Sequence, residues 1–167
     1  HTDTVHAIHK DIDRLTIIDN KGVLLALDGD SHQTGIGGDD KVGIYLALRM
    51  LLRLRVCKVA FFYSEEIGCV GSNKANISFF KDCAFVLQGD RRGNKDFVTS
   101  IGGAEISSKD FQTLVKPIAK QYGYKFSSGA MTDVEALCKR GVGIATANVS
   151  CGYYDPHSSK ETVVIAD

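Results

Sequence analysis

The sequence predicts an α/β fold, a mixed and mostly parallel sheet flanked by helices, on three observations. Short runs of β-formers alternate with stretches whose apolar residues recur at helical spacing. Turn residues and glycines separate these runs. Acidic residues repeatedly follow the strand-like runs, as expected for an open α/β sheet, where sites form outside the carboxyl ends of the strands.

The elements follow in order. Residues 15–18 and 23–27 are β-rich and joined by Asp19-Asn20-Lys21-Gly22, good turn chemistry for a hairpin. Gly35, Gly37 and Gly38 crowd together before residues 40–53, where Val42, Leu46, Met50 and Arg53 keep helical spacing and Leu48, Leu51 and Leu52 widen the apolar face. A helix therefore starts just beyond Asp39-Asp40. Residues 56–63 (V-C-K-V-A-F-F-Y) read as a buried strand delivering Glu65 and Glu66, and residues 83–87 as a second one delivering Asp90. A third strand is expected at 97–101. Ser107 opens a helix with Ser108 as its N-cap and Phe111, Leu114, Val115 and Ile118 on one face, which Pro117 is expected to kink or shorten. Residues 131–138 read as a short helix capped by Thr132 or Ser128, and 142–149 as a last strand before Tyr153, Tyr154 and His157. Residues 160–167 read as the start of another helix.

A chain of 167 residues with 44% apolar composition fits one domain with a sizeable core. Both ends read as cut, because His1 opens a motif that calls for a preceding strand and the last helix has only begun. Lys plus Arg and Asp plus Glu are 20 each, and no long basic run is present to track a phosphate backbone, so nucleic acid is not an expected partner. No apolar stretch approaches the roughly 18 residues of a membrane span. The five cysteines are odd in number and lack C-x-x-C spacing, which predicts buried thiols in a reducing, cytoplasmic setting.

The residues that carry chemistry each have a bland reading and a sharper one. In an extended segment His1 and Asp3 share a face, so Asp3 can accept from one imidazole nitrogen and turn the other toward a metal; a lone pair of this kind is otherwise solvated. Asp39 and Asp40 suit a helix N-terminus as well as a metal. Glu65 and Glu66, adjacent at the end of an apolar strand, repel each other at a cost unless a cation sits there, although Gly68 and Gly71 permit a solvated loop. Asp90 is also an ordinary partner for Arg91 or Arg92. His157 follows Pro156 in a polar turn, and His6, His9 and His32 read as surface residues or as candidates at a substrate's edge. Taken in order, two imidazoles, a carboxylate able to bridge and further carboxylates form a donor set for two metal ions, with a spare glutamate beside a ligand to serve as base.

The segments H-T-D-T-V, G-I-G-G-D-D-K-V-G, S-E-E-I-G-C-V-G-S, L-Q-G-D-R-R-G-N and D-P-H-S-S-K-E-T together resemble the co-catalytic metallopeptidase clan. These are zinc-dependent exopeptidases that include tripeptide aminopeptidase (peptidase T) and the related di-zinc aminopeptidases and carboxypeptidases. The likeness covers nearly the whole chain. It implies a three-layer α/β/α fold, peptide-bond hydrolysis and two divalent ions, zinc being expected and cobalt or manganese suiting the same donors. It implies His1 and Asp90 on one ion, Glu66 and His157 on the other, and Asp39 bridging both. Asp39 is chosen over Asp40 because the family ligand stands two residues before the basic one, here Lys41, and a cis peptide follows it. Glu65 is then the general base, taking a proton from water and returning it to the leaving amine, with Asp3 as the catalytic partner of His1. Asp133, Tyr153 and Tyr154 are candidate substrate contacts. Asp133 also suits orienting His157 or capping its helix, and the tyrosines also suit the core.

Departures from the family bound the expectation. About forty residues separate Asp90 from Asp133, too few for the dimerisation lid of peptidase T and the carboxypeptidases. Nor is there room between Asp3 and Asp39 for the inserted domain of the large tetrahedral aminopeptidases, so a lone catalytic domain is expected. The stretch G-A-M-T-D-V-E-A-L, followed by a strand and Y-Y-D-P-H, resembles the di-zinc aminopeptidase branch more than the carboxypeptidase branch. The expected substrate is a short peptide. Alternatives are an N-acyl amino acid deacylase or a carboxypeptidase on the same scaffold, or a non-catalytic relative that binds metal or peptide. The oligomeric state, a homo-oligomer included, stays open.

Overall fold

The computed structural model describes residues 1–5 and 14–167, so His6 and His9 lie outside the described residues. The strands form two five-stranded sheets among the described residues. In the first sheet β1 (Thr16–Asn20) and β2 (Val23–Leu27) form an antiparallel hairpin. Its two loop residues, Lys21 and Gly22, both have positive φ (54° and 88°), and Gly22 N–H donates to Asp19 Oδ1 at 2.7 Å. That is the twist a two-residue hairpin loop needs, and Asp-x-x-Gly supplies it. Along the edge of β2 away from β1, β3 (Gln33–Thr34) pairs with Ala26 and Leu27 while β10 (Thr162–Val164) pairs with Val23 and Leu24 and joins β2 to β9 (Tyr153–Tyr154), all antiparallel.

The second sheet places β4 (Phe85–Arg91) parallel to β8 (Ala145–Ser150), and β5 (Asp96–Ile101) parallel to β7 (Lys125–Gly129). β8 and β5 meet antiparallel, and β6 (Ala104–Glu105) closes on β5 in the same sense. The parallel pairing is thus confined to this sheet. Adjacent residues of a strand face opposite sides, and β5 shows what each side packs. Phe97 joins Phe111 and Ala119 of α3 (Lys109–Gln121), whereas Val98 joins Val134 of α4 (Asp133–Lys139). The sheet therefore lies between helices, the layered α/β arrangement expected.

α3 begins as its sequence requires, with the Ser108 hydroxyl accepting from Phe111 N–H at 3.2 Å. It runs four residues past Pro117 to Gln121, so the expected shortening does not occur. α1 (Gly38–Arg53) crosses β4 at close range: a Cβ on Gly43 would stand 2.2 Å from the Gly89 carbonyl oxygen. Glycine is what lets the start of α1 reach the strand that carries Asp90. The outer face of α1 keeps Leu48, Met50, Leu51 and Leu52 exposed, so the apolar face read from its spacing is not covered among the described residues.

Three expectations are corrected. Residues 56–63 join neither sheet, and Val56 is 94% exposed. Phe62 O takes Thr2 N–H at 2.8 Å and Tyr63 O takes Gly71 N–H at 3.0 Å, but β-propensity makes a ladder only where another strand lies alongside. Residues 162–164 form β10 rather than a helix, because Thr162, Val163 and Val164 are β-branched and fit a half-buried pleated surface. All five cysteines are free, as expected, but only Cys69 and Cys151 are buried while Cys57, Cys83 and Cys138 are half-buried. No described helix is long and apolar enough to cross a membrane.

Candidate metal centre

The two members of the Asp39-Asp40 pair do different things. The peptide bond between them is cis, as the resemblance implies, and neither residue has helical angles, so regular α1 begins after them. Asp40 caps the helix. Its Oδ1 accepts from Gly43 N–H at 3.1 Å, and its Oδ2 accepts from the backbone nitrogen of His1 at 2.6 Å. Asp39 faces the centre. Its backbone N–H is held by Glu161 Oε1 at 2.9 Å, while Glu161 Oε2 takes Gly37 N–H at 2.6 Å. Glu161 is wholly buried at the foot of β10, and the sequence alone did not single it out. The E in D-P-H-S-S-K-E-T was the available signal, an acidic residue within a segment that carries the family likeness.

Asp39 presents its two oxygens to two different imidazoles. His1 Nε2 lies 3.0 Å from Oδ1, and His157 Nε2 lies 3.2 Å from Oδ2. Asp90 Oδ1 is 3.4 Å from His1 Nε2, and Glu66 Oε1 is 2.8 Å from His157 Nε2. Glu65 Oε2 stands 3.9 Å from His1 Nε2, so it too belongs among the clustered donors. His1, Asp39 and Glu66 offer atoms within 4.8 Å of one another, as do His1, Glu65 and Asp90. The structure thus gathers His1, Asp39, Glu65, Glu66, Asp90 and His157 in one place.

Asp3 does something other than expected. The His1 Nδ1 hydrogen bond goes to the Asp3 backbone oxygen at 2.8 Å, with the carboxylate 3.4 Å away. A carbonyl only accepts, so Nδ1 carries the hydrogen and Nε2 is the nitrogen turned to the centre. The Asp3 carboxylate instead accepts from Glu65 N–H at 3.0 Å and Glu66 N–H at 3.2 Å. Partial burial raises its pKa, but those backbone bonds outweigh burial and hold it below the ordinary value. Asp3 therefore fixes both the imidazole and the Glu pair. The pair sits on tense backbone, with Ser64 just before it and Cys69 just after it at φ 54°.

The bland readings fare unevenly. Arg91 pairs with Asp96 at 3.0 Å rather than with Asp90. Tyr153 is buried with its hydroxyl donating to Asp90 Oδ1 at 3.3 Å, whereas the Tyr154 hydroxyl goes to Asp167, away from the cluster. Asp133 is buried at the start of α4, its charge is felt by Glu65 and Cys69, and it feels that of Asp90. Its Oδ1 has no hydrogen-bond partner among the described residues. His32 is a surface residue, its side chain 80% exposed.

The electrostatics describe a site short of positive charge. Burial and then the charge of Asp90 push Glu65 up to about 8. Burial and the same neighbour push Asp40 to about 10, and burial above all lifts Asp133 to about 6. Glu66 and Asp90 are raised as well, by burial first. At His1 burial opposes the charged form, yet hydrogen bonds to Asp39 and Asp90 and the charges of Asp90 and Asp40 win and raise it to about 12. Carboxylates that must hold protons because they are crowded and dry are what a divalent cation relieves. Donors about 2.0–2.2 Å from a tetrahedral ion lie roughly 3.3–3.6 Å apart, close to the separations here. Nitrogen and carboxylate donors, the orphaned Asp133 oxygen and the doubly facing Asp39 fit a pair of such ions.

No protein-family model matches the sequence, and no curated protein matches it. The fold is similar to that of aminopeptidase PepT from Bacillus cereus, with a TM-score of 0.61 over 91% of this chain and 72% of that one. The two sequences are 11% identical, so the likeness is one of fold.

Proposed function

We propose that this chain is a metal-dependent exopeptidase, an aminopeptidase acting on short peptides through two divalent ions, with zinc as the first candidate. The observation that carries the reading is Asp39, whose Oδ1 and Oδ2 face His1 and His157 separately. In it His1 and Asp90 would hold one ion, Glu66 and His157 the other, and Asp39 would serve both. Such ions would supply the charge that polarises a peptide carbonyl and makes a water acidic.

The chain's own residues do the rest. Glu65 takes the proton from the attacking water and hands it to the leaving amine, a role that general acid–base catalysis values at about 10²–10⁴ in rate. Cys69 Sγ donates to Glu65 Oε1 at 3.7 Å and Asp3 anchors the backbone on which Glu65 stands, so its carboxyl is held from two sides. Asp3 also keeps the His1 ring turned with Nε2 inward. The exposed His157 marks the side open to substrate.

A panel of short peptides, free or acylated at the amino end and free or amidated at the carboxyl end, tests this. The expected result is release of the first residue from peptides with a free amino end, lost on chelation and restored by zinc, cobalt or manganese. Cleavage confined to acylated substrates makes the protein a deacylase, and dependence on a free carboxyl end makes it a carboxypeptidase. Two bound ions with no turnover on any substrate would leave a binding protein.

A further inference from the structure

The side chains around Asp90 form a hydrogen-bonded chain in which two backbone donors fix the direction of both amides. Val134 N–H is a backbone donor at the start of α4, 3.0 Å from the Gln88 side chain, so the atom facing it must be the amide oxygen Oε1. Gln88 Nε2 is thereby turned to Asp90 Oδ2, at 2.7 Å. Asn148 is fixed in the same way: Asp90 N–H donates to its Oδ1 at 3.0 Å, which turns its Nδ2 to Asp90 O at 2.7 Å and Thr132 Oγ1 at 3.2 Å. Thr132, accepting from Asn148, has its hydroxyl 2.9 Å from Gln88 Oε1 and 3.4 Å from Asp90 Oδ2, and its hydrogen goes to the nearer oxygen. The order is Asn148 to Thr132 to Gln88 to Asp90, with a backbone N–H fixing each amide.

The consequence falls on one oxygen. Asp90 Oδ2 is taken by Gln88, and Oδ1 is the atom that approaches His1 Nε2 and meets the Tyr153 hydroxyl. The geometry points to Gln88 as a positioning residue: by occupying Oδ2 it makes Asp90 a one-oxygen ligand, setting the affinity of the ion held by His1 and Asp90 but not of the ion held by Glu66 and His157. This rests on the two-ion reading above. Gln88 touches neither substrate nor ion, and it acts by tying the orientation of Asp90 to the first turn of α4.

Gln88→Glu separates this role from a merely structural one. The new carboxylate keeps the oxygen that accepts from Thr132 and Val134, so α4 stays attached, but it replaces the donor facing Asp90 with a second negative oxygen. Cobalt titration of the chelated protein, followed by the ligand-field absorption of each ion, reads the two positions separately. The expected result is two bound ions in the wild type and, in Gln88→Glu, a 10- to 100-fold weaker first position beside an unchanged second, the usual size of losing a ligand's supporting hydrogen bond. Gln88→Met, which removes the donor without adding charge, is expected to weaken the same position by a smaller factor. Should Gln88→Glu fail to fold, judged by circular dichroism, Gln88→Met decides alone. Equal weakening of both positions, or of neither, overturns the inference while leaving the two-ion reading intact. A wild type that binds no cobalt overturns that reading, and the inference with it.

Discussion

His1 and Asp90, at the inner end of the centre, have side chains 1% and 7% exposed, whereas His157 at the outer end is 46% exposed. The inner pair is held by separate parts of the fold: Asp3 orients the imidazole, while Gln88, Asn148 and Tyr153 hold Asp90. The outer imidazole hangs on the loop after β9, where Asp155 and His157 itself sit at φ 49° and 60°, and its ring nitrogen faces Glu66 and Asp39. A preorganised set of donors binds without paying to order itself, and a set that includes an exposed loop residue does not. The two positions of one centre are therefore expected to differ, the inner one tight and slow to exchange, the outer one weaker and open to substrate.

The largest effect is expected at Glu65, which stands beside the inner pair, its Oε2 3.9 Å from His1 Nε2. Glu65→Gln is expected to lower peptide hydrolysis by about 10²–10⁴ while both ions stay bound, read from steady-state rates and metal content. Full turnover in that variant would refute the base assignment. Removing ligands probes the difference itself. Asp39→Ala is expected to lose both ions on dialysis, and His157→Ala only the outer one, each seen in the metal count per chain. If His157→Ala emptied both positions, the centre would be one cooperative unit rather than two unequal halves.

Glu161 probes the support beneath both halves. Glu161→Leu leaves Gly37 N–H and Asp39 N–H buried without an acceptor, at about 1–3 kcal/mol each, so roughly 2–6 kcal/mol of stability is expected to go, measured by urea unfolding. A change within about 0.5 kcal/mol, ordinary for a surface substitution, would say the two bonds are replaced by water. The gentlest test is pH. In protein stripped of metal, burial and then Asp90 raise Glu65 from 4.5 to about 8, so between those values the folded state holds a proton the unfolded chain has released. Stability is then present below about pH 4.5 and lost as pH rises through about 8, and the raised His1 acts in the same sense above 6.5. The melting temperature of the chelated protein is expected to fall from about pH 5 to about pH 8, and added divalent ions to shrink the fall. A rise over that range would mean the inner carboxylates are ionised and content without a cation.

What the sequence made legible is what local chemistry determines. The hairpin turn at Lys21-Gly22, the Ser108 cap and the start of α1 beyond the Asp pair each depend on residues within a few positions of one another. The clustered donors were legible because short motifs carry them in a fixed order along the chain. Long-range satisfaction was not legible. Glu161 acts on residues more than a hundred positions away, and the direction of the Gln88 amide depends on where α4 begins. Residues 56–63 read as a strand because they favour extended backbone, but propensity says nothing of whether a neighbouring strand lies beside them, and in the described structure none pairs with them. Asp3 was placed beside His1 correctly, yet its carboxylate serves the backbone of Glu65 and Glu66, a contact across more than sixty residues.

Anomalous scattering from a crystal soaked in zinc tests the central claim most directly. Two peaks about 3.5–4 Å apart are expected, with Asp39 between them, His1 and Asp90 on the stronger and Glu66 and His157 on the weaker. A single peak, or none among these five side chains, would contradict it.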